Sequence, residues 1–170
     1  MTQTGTLRDL FEQAIRAERT AEHIYDQFAI FFAAQPAVVA FWKHYAAEEN
    51  GHALWLERLR DELTPEALTA PVDADMLANI RALNQTPASI LLTRVEDLED
   101  AFGLAHDLES SEVNTIFEFL TTSFASNERI SQFLHAQLNE HVERLINGFP
   151  EAFNSTYARK QVLAVRPAAT

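Results

Sequence analysis

The chain repeats itself: two stretches about ninety residues apart each carry a glutamate and, further on, a histidine at matching positions. The first copy contains LRDLFEQAIRAE, which ends at Glu18, and FWKHYAAEENGH, which ends at His52. The second contains LEDAFGLAHDLE, which ends at Glu109, and ISQFLHAQLNEH, which ends at His141. Glutamate and histidine side chains on facing helices are the ligands from which metal sites in helix bundles are built. The repeat therefore predicts two helix pairs that enclose a site for two metal ions.

The two copies differ at one ligand position. Glu49 lies three residues before His52, so both side chains share one helical face, but the second copy has Leu138 at the equivalent place. Glu112, one turn after Glu109, can supply the carboxylate that Leu138 does not. The two half-sites are therefore expected to be unequal in ligation and affinity, with the first half the more complete.

Apolar residues at alternating intervals of three and four predict helix in both copies. A first helix begins at Leu7 and ends near Pro36, because the residue before a proline is pushed out of the helical region. A second helix follows and ends at about Leu63, before Pro65. Residues 64–88 hold three prolines and predict a long connection that contains a short helix.

The third and fourth helices belong to the second copy. The third is expected to begin between Ser89 and Thr93, with Thr93 and Glu96 as a capping box, and to carry one apolar stripe as far as Phe119. The fourth covers residues 127–147 and ends at a glycine. Four helices with a long connection after the second predict an all-α protein, an antiparallel four-helix bundle.

Six side chains that can bind metal lie on the inner stripes of these helices. They are Glu18, Glu49, His52, Glu109, Glu112 and His141. Burying a carboxylate costs several kcal/mol unless a cation or hydrogen bonds compensate, yet no lysine or arginine occupies any of the four stripes. The sequence therefore predicts that a cation comes from outside the chain, or that the carboxylates are protonated.

The nature of these ligands restricts the metal. The chain has no cysteine, so a metal must be bound by oxygen and nitrogen, which suits iron or manganese and also admits zinc. Tyr25, two turns after Glu18, is placed beside the metals as a hydrogen-bond donor or as a core side chain. His106, one turn before Glu109, is a candidate to support the ligands, whereas His23 and His44 are expected at the surface.

Composition narrows the range of partners. The chain has 170 residues and a formal net charge of −12, with 13 Lys and Arg against 25 Asp and Glu, so nucleic acid and anionic membranes are unfavourable partners. No apolar run is long enough to cross a bilayer, and we expect a cytoplasmic protein. Residues 1–170 suit one domain, with its core at 7–147 and a tail at 149–170. Trp42 and Trp55, placed at the edge of the inner stripe, favour a homodimer.

The ligand pattern resembles that of the ferritin-like carboxylate-bridged di-iron proteins, and most closely their rubrerythrin-like branch. Over about residues 7–147 the ligands Glu18, Glu49, His52, Glu109 and His141 fall in the family's order. Glu112 matches a further carboxylate on the third helix, and Tyr25 matches a tyrosine on the first. Leu138 replaces the bridging glutamate of the fourth helix, and the cysteine-ligated rubredoxin module is missing.

The resemblance implies a ferritin-like fold and two iron ions that reduce hydrogen peroxide or dioxygen, or that oxidise ferrous iron. An electron-donor protein would then have to dock from outside. A first alternative is a protein without turnover, which binds a single iron or zinc ion through Glu18, Glu49 and His52. A second alternative is a helical interaction module whose buried glutamates are protonated.

Overall fold

The computed structural model describes residues 5–124 and 128–162. Every regular element in these ranges is helical, and the β interaction found there is an isolated bridge between Thr6 and Pro71. This confirms the all-α class. None of the helices in the described ranges combines the length and the apolar character needed to cross a membrane.

The helices follow one another with short connections. They are α1 Leu7–Phe31, α2 Pro36–Glu62, α3 Pro65–Leu68, α4 Ala74–Leu83, α5 Ala88–Leu92, α6 Leu98–Glu109, α7 Glu112–Phe124, α8 Glu128–Asn147 and, after a 3₁₀ turn at Glu151–Phe153, α9 Thr156–Gln161. The two longest helices, α1 and α2, pack along each other, and α6 packs against α8. The predicted long connection is present, but it covers residues 63–97 instead of 64–88, and it contains three short helices, α3, α4 and α5, instead of one.

The ends of α1 and α2 follow from local chemistry. The Thr6 hydroxyl accepts the backbone N–H of Asp9 at 3.3 Å, and the Asp9 carboxylate accepts the N–H of Thr6 at 2.9 Å, which caps α1. Pro36 occupies the first turn of α2, where its missing N–H has no partner to lose. The two helices therefore lie close to their predicted bounds.

The third helix does not have its predicted form. Thr93 ends α5, and its hydroxyl donates to the carbonyl of Ile90 at 2.6 Å instead of capping a new helix. The capping box is formed by Asp97 and Asp100, so α6 begins only at Leu98. The predicted start between Ser89 and Thr93 is wrong because two aspartates cap more effectively than Thr93 and Glu96.

The third helix is also interrupted at Ser110 and Ser111. The Ser110 N–H still bonds in the helical pattern, but the Ser111 N–H turns to the carbonyl of Leu108, three residues back, at 3.1 Å. The Asn114 side chain then donates to the carbonyl of Glu109 at 2.6 Å and satisfies the end of α6. The stripe predicted to reach Phe119 is therefore broken, and Phe119 is exposed.

Buried apolar side chains form two clusters on either side of a polar layer. Along α1 and α2 one cluster occupies residues 24–32 and 38–46, and the other occupies residues 7–17 and 56–59. Glu18, Glu49 and His52 lie between the clusters on both helices. Burial of each large apolar side chain contributes about 1.5–3 kcal/mol, so the clusters fix the register of the polar residues between them.

Trp42 is fully buried in the first cluster, where its ring stacks on Tyr25 with centroids 5.7 Å apart. The prediction that Trp42 lies at the edge of the stripe, as part of a dimer surface, is therefore wrong. Trp55 is half-buried, and the Arg58 guanidinium lies 5.9 Å from its ring centroid. The homodimer stays a prediction, with less support than the sequence suggested.

Candidate metal centre

Five of the six predicted ligands come together in the polar layer between the two apolar clusters. Their relative exposures are 2% for Glu18, 4% for Glu49, 1% for His52, 6% for Glu109 and 0% for His141. Glu18 comes from α1, Glu49 and His52 come from α2, Glu109 ends α6, and His141 lies on α8. The side chains of Glu112 and Leu138 lie outside the described part of the structure.

The first half-site is formed by α1 and α2. The Nδ1 atom of His52 lies 3.6 Å from Oε2 of Glu18 and 3.4 Å from Oε2 of Glu49. Glu49 and His52 face the same way because they are three residues apart on one helix. The predicted Glu-x-x-His pair thus presents an oxygen and a nitrogen to the same space as Glu18.

The second half-site is formed by α6 and α8. The Nδ1 atom of His141 lies 2.8 Å from Oε2 of Glu109 and 3.7 Å from Oε1 of Glu49. Glu49 therefore directs one oxygen to each histidine. Ligand atoms of Glu49, His52 and His141 all lie within 4.8 Å of one another, so this group could hold a metal ion.

Tyr25 fixes the position of Glu109. Its hydroxyl donates to Oε1 of Glu109 at 2.5 Å, which leaves Oε2 directed at His141. Burial and the negative charge of Glu109 raise the pKa of Tyr25 well above its ordinary value. Tyr25 thus remains a protonated donor, and it is at once a core side chain and a partner of a candidate ligand.

Glu48 is part of the site, although the sequence analysis did not select it. Its Oε1 accepts a hydrogen bond from Arg144 at 2.6 Å, and its Oε2 lies 3.4 Å from Nε2 of His141. Burial acts to raise the pKa of Glu48, but His141 and Arg144 outweigh burial and lower it to about 2. The available signal was the position of Arg144, one turn after His141, from which a long side chain can reach inward.

Protonated His52 and His141 act as internal cations, a possibility not included in the prediction from sequence. Burial lowers the pKa of His52, but the carboxylates of Glu18 and Glu49 outweigh burial and raise it to about 11. The pKa of His141 is likewise raised to about 9, since Glu109 and Glu48 outweigh burial. The expectation that charge compensation needs an external cation or protonated carboxylates was therefore incomplete.

Glu49 has the most unfavourable carboxylate environment of the described site. Burial and the nearby charge of Glu18 raise its pKa to about 7, although His52 acts in the opposite direction. Its Oε1 has no hydrogen-bond partner among the described atoms, and neither has Oε1 of Glu18 or Nε2 of His52. Buried polar atoms without partners are rare and indicate that an ion or a water molecule binds there. Oxygen and imidazole donors without sulfur fit iron, manganese or zinc, and the geometry does not distinguish among them.

The remaining histidines lie away from the site. His106 is half-exposed, and its nearest charged partner is Asp107 at 4.0 Å, so the prediction that it supports the ligands is wrong. Although His106 lies one turn before Glu109, its side chain faces solvent and not the buried side of α6. His23 and His44 are exposed, as predicted.

Comparisons with protein-family models, with curated proteins and with solved structures found no match to this chain. The functional conclusion therefore rests on the residues of this chain alone. They define a helical protein with a buried group, Glu49, His52 and His141, that could hold a metal ion.

Proposed function

We propose that the protein is a ferritin-like metalloprotein of the rubrerythrin-like type, which holds two iron ions and reduces hydrogen peroxide or dioxygen. In this proposal α1, α2, α8 and the interrupted pair α6 and α7 are the four helices of an antiparallel bundle. Support comes from the candidate ligands, which lie on α1, α2, α6 and α8 and meet in one buried layer.

The single observation that carries the proposal is the position of Glu49. Its two oxygens lie 3.4 Å from Nδ1 of His52 and 3.7 Å from Nδ1 of His141. A carboxylate that faces two imidazoles in this way is suited to bridge two ions. Glu18 then completes the first half-site and Glu109 the second.

Charge balance supports divalent ions. Glu18, Glu49 and Glu109 carry three negative charges when ionised, and two neutral imidazoles add none. Glu112, the sequence-predicted fourth carboxylate, would bring the charge to −4 and neutralise two divalent cations. Two bound ferrous ions would supply the two electrons that, with two protons, reduce hydrogen peroxide to two water molecules. An external electron-donor protein would restore the ferrous state.

The surrounding residues would orient the ligands and shield the two ends of the layer. Tyr25 holds Glu109 through its hydroxyl, and Arg144 holds Glu48 beside His141. Such outer contacts fix the orientation of a metal-binding imidazole, and their removal commonly lowers metal affinity by about 10–100-fold. The apolar clusters above and below exclude bulk water from those two ends.

A protein without turnover that binds one ion is the second candidate. The observation that favours it is the 4.8 Å separation within Glu49, His52 and His141, because a single ion can contact all three. Leu138, which cannot act as a ligand, favours the same reading. Such a site would hold iron or zinc for structure or storage.

Metal analysis of protein produced with iron supplied separates these candidates. We expect two irons per chain and a near-ultraviolet band that responds to peroxide, and both should be lost in Glu49→Gln. Glu22→Gln is a matched control, because Glu22 lies on α1 near Glu18 but pairs with Arg19 at 2.8 Å. One ion, or zinc that resists exchange, would support the single-ion protein. If the protein binds no metal and Glu49→Ala has the same melting temperature as the parent, the helical interaction module is the remaining candidate.

A further inference from the structure

A small cavity lies against the carboxylate side of the candidate metal centre. Its volume is about 60 Å³, and Glu18, Glu49 and Glu109 are among the residues that line it. Its lining also includes Ala21, Leu83 and Leu108. Neither His52 nor His141 is among its described lining residues, so the cavity approaches the centre from the face opposite the imidazoles.

A second, larger cavity of about 490 Å³ adjoins the first. Both cavities are lined by Leu83 and Ser111, so they meet at these two residues. The larger one is otherwise lined by Asn79, Ala82 and Ser110, and it is the more open of the two. Leu83 is itself 43% exposed, which places the meeting point near the protein surface.

Two features of the fold create this path, the predicted long connection and the unpredicted interruption of the third helix. Leu83 is the last residue of α4, in the long connection, and Ser110 and Ser111 form the interruption between α6 and α7. The interruption and the connection together leave a passage from solvent to the three carboxylates.

We infer that this passage admits the oxidant and selects it by size, with Ala21 and Leu83 as the residues that determine specificity. The inference rests on the proposed function. A single water needs a cavity of at least about 10–15 Å³ and occupies about 30 Å³ of liquid, so 60 Å³ has room for about two waters. Hydrogen peroxide and dioxygen fit this space. A benzene ring needs a cavity on the order of 150 Å³, so aromatic hydroperoxides are excluded.

The chemistry of the lining also selects against anions. Three carboxylates repel them, and the described lining residues of the small cavity include no lysine, arginine or histidine to bind them. The substrate class is therefore a small, neutral oxidant. Each molecule of hydrogen peroxide takes two electrons from the reduced centre and two protons, and it leaves as two water molecules small enough for the same passage.

A groove on the imidazole side is the competing route and supplies a control. It has a volume of about 420 Å³ and is lined by His52, Glu48, Ala47 and Phe133, among others. Ala47 is exposed on α2, as a counterpart to Ala21 on α1. Ala47→Phe therefore adds the same side chain as Ala21→Phe, but on the opposite face of the centre.

The test uses the iron-loaded full chain and three variants: Ala21→Phe, Leu83→Ala and Ala47→Phe. Iron per chain is measured first, followed by binding of nitric oxide to the reduced protein by absorbance, which reports access without turnover. Rates of oxidation by hydrogen peroxide and by cumene hydroperoxide are then compared. We expect Ala21→Phe to keep its iron and to slow both nitric oxide and hydrogen peroxide by about tenfold or more. Leu83→Ala should raise the rate with cumene hydroperoxide relative to hydrogen peroxide, and Ala47→Phe should match the parent protein.

Other results would overturn the inference. If iron-loaded Ala21→Phe reacts at the rate of the parent, or if only Ala47→Phe is slowed, the oxidant enters elsewhere. The proposed function would still stand in either case. If Ala21→Phe loads no iron, the test rests on Leu83→Ala alone. In that case, a ratio of the cumene hydroperoxide rate to the hydrogen peroxide rate that is the same in Leu83→Ala as in the parent would refute size selection. A parent protein that binds no iron would refute the proposed function, and the inference with it.

Discussion

Metal binding at this centre should release a countable number of protons, because the candidate ligands hold protons at neutral pH. The pKa values of His52, His141 and Glu49 are raised to about 11, 9 and 7. A metal ion binds the deprotonated forms, so each proton must leave as the metal enters. Raised histidine pKa values favour the protonated site at low pH, and affinity for metal should therefore increase as pH rises.

The expected count follows from these three values. At pH 7 the two imidazoles hold about one proton each and Glu49 is near its midpoint, so full ligation releases between about two and three protons per chain. The release should be smaller at pH 8 than at pH 6, because Glu49 loses its proton as pH rises through its pKa. An ion held only by Glu18, Glu49 and His52 would release about one proton fewer, because His141 would keep its own.

Calorimetric titration with Co²⁺, in buffers of different ionisation enthalpy, measures this number directly. His52→Gln and His141→Gln should each lower the release by about one proton. His23→Gln is the control, because His23 is exposed and should leave the count unchanged. A release below about one proton at pH 7, or a count unaffected by both site variants, would refute the assignment of the histidines as protonated ligands.

Three further predictions concern single residues. Glu49→Gln should stabilise the metal-free protein above pH 7, by up to about 3 kcal/mol in urea unfolding. The pKa of Glu49 is raised from 4.5 to about 7 on folding, so its ionisation costs stability progressively between these pH values, and the full cost is present above pH 7. Equal stability of the two proteins at pH 8 would contradict this. Tyr25→Phe should cost about 1.5–3 kcal/mol of unfolding free energy, since it removes a buried hydrogen bond to Glu109, and an effect no larger than that of the exposed Tyr157→Phe would count against the contact. Leu138→Glu should slow the loss of the second iron to a chelator, whereas an unchanged rate of loss would show that the second half-site already has its ligands.

The parts of the fold that sequence predicted well are those set by strong local signals. Pro36 and Pro65 define the limits of α2, and the inner stripe of α1 continues from Leu7 to Phe28 with Glu18 as its buried polar residue. The convergence of the ligands followed from the same stripes, because a glutamate or histidine on an apolar face must lie in the layer where the helices meet. Local periodicity was sufficient there.

The features that sequence missed depend on contacts between distant residues. The interruption at Ser110 and Ser111 is stabilised by Asn114, whose side chain completes the end of α6, and serines alone did not signal it. Glu48 joins the site because Arg144, 96 residues away, holds it there. The charges on the histidines depend on carboxylates from three different helices, which no single-helix pattern contains.

The distribution of these contacts changes the expected balance between the half-sites. Sequence favoured the first half because Glu49 accompanies His52 whereas Leu138 precedes His141. Yet the Nδ1 atom of His141 lies 2.8 Å from Oε2 of Glu109, whereas the Nδ1 atom of His52 lies 3.4 Å from Oε2 of Glu49 and 3.6 Å from Oε2 of Glu18. Glu109 is held as well, by the hydroxyl of Tyr25.

Ligands that are already oriented lose less side-chain entropy when a metal binds, at about 0.5–1.5 kcal/mol for each side chain that would otherwise have to be immobilised. The second half-site thus offsets a missing glutamate with two positioned ligands, and Glu49 serves both halves through its two oxygens. The first half has more ligands of its own, and the second has better-held ones. Loss of Glu49 should therefore affect both half-sites together, whereas loss of Glu18 or Glu109 should affect one.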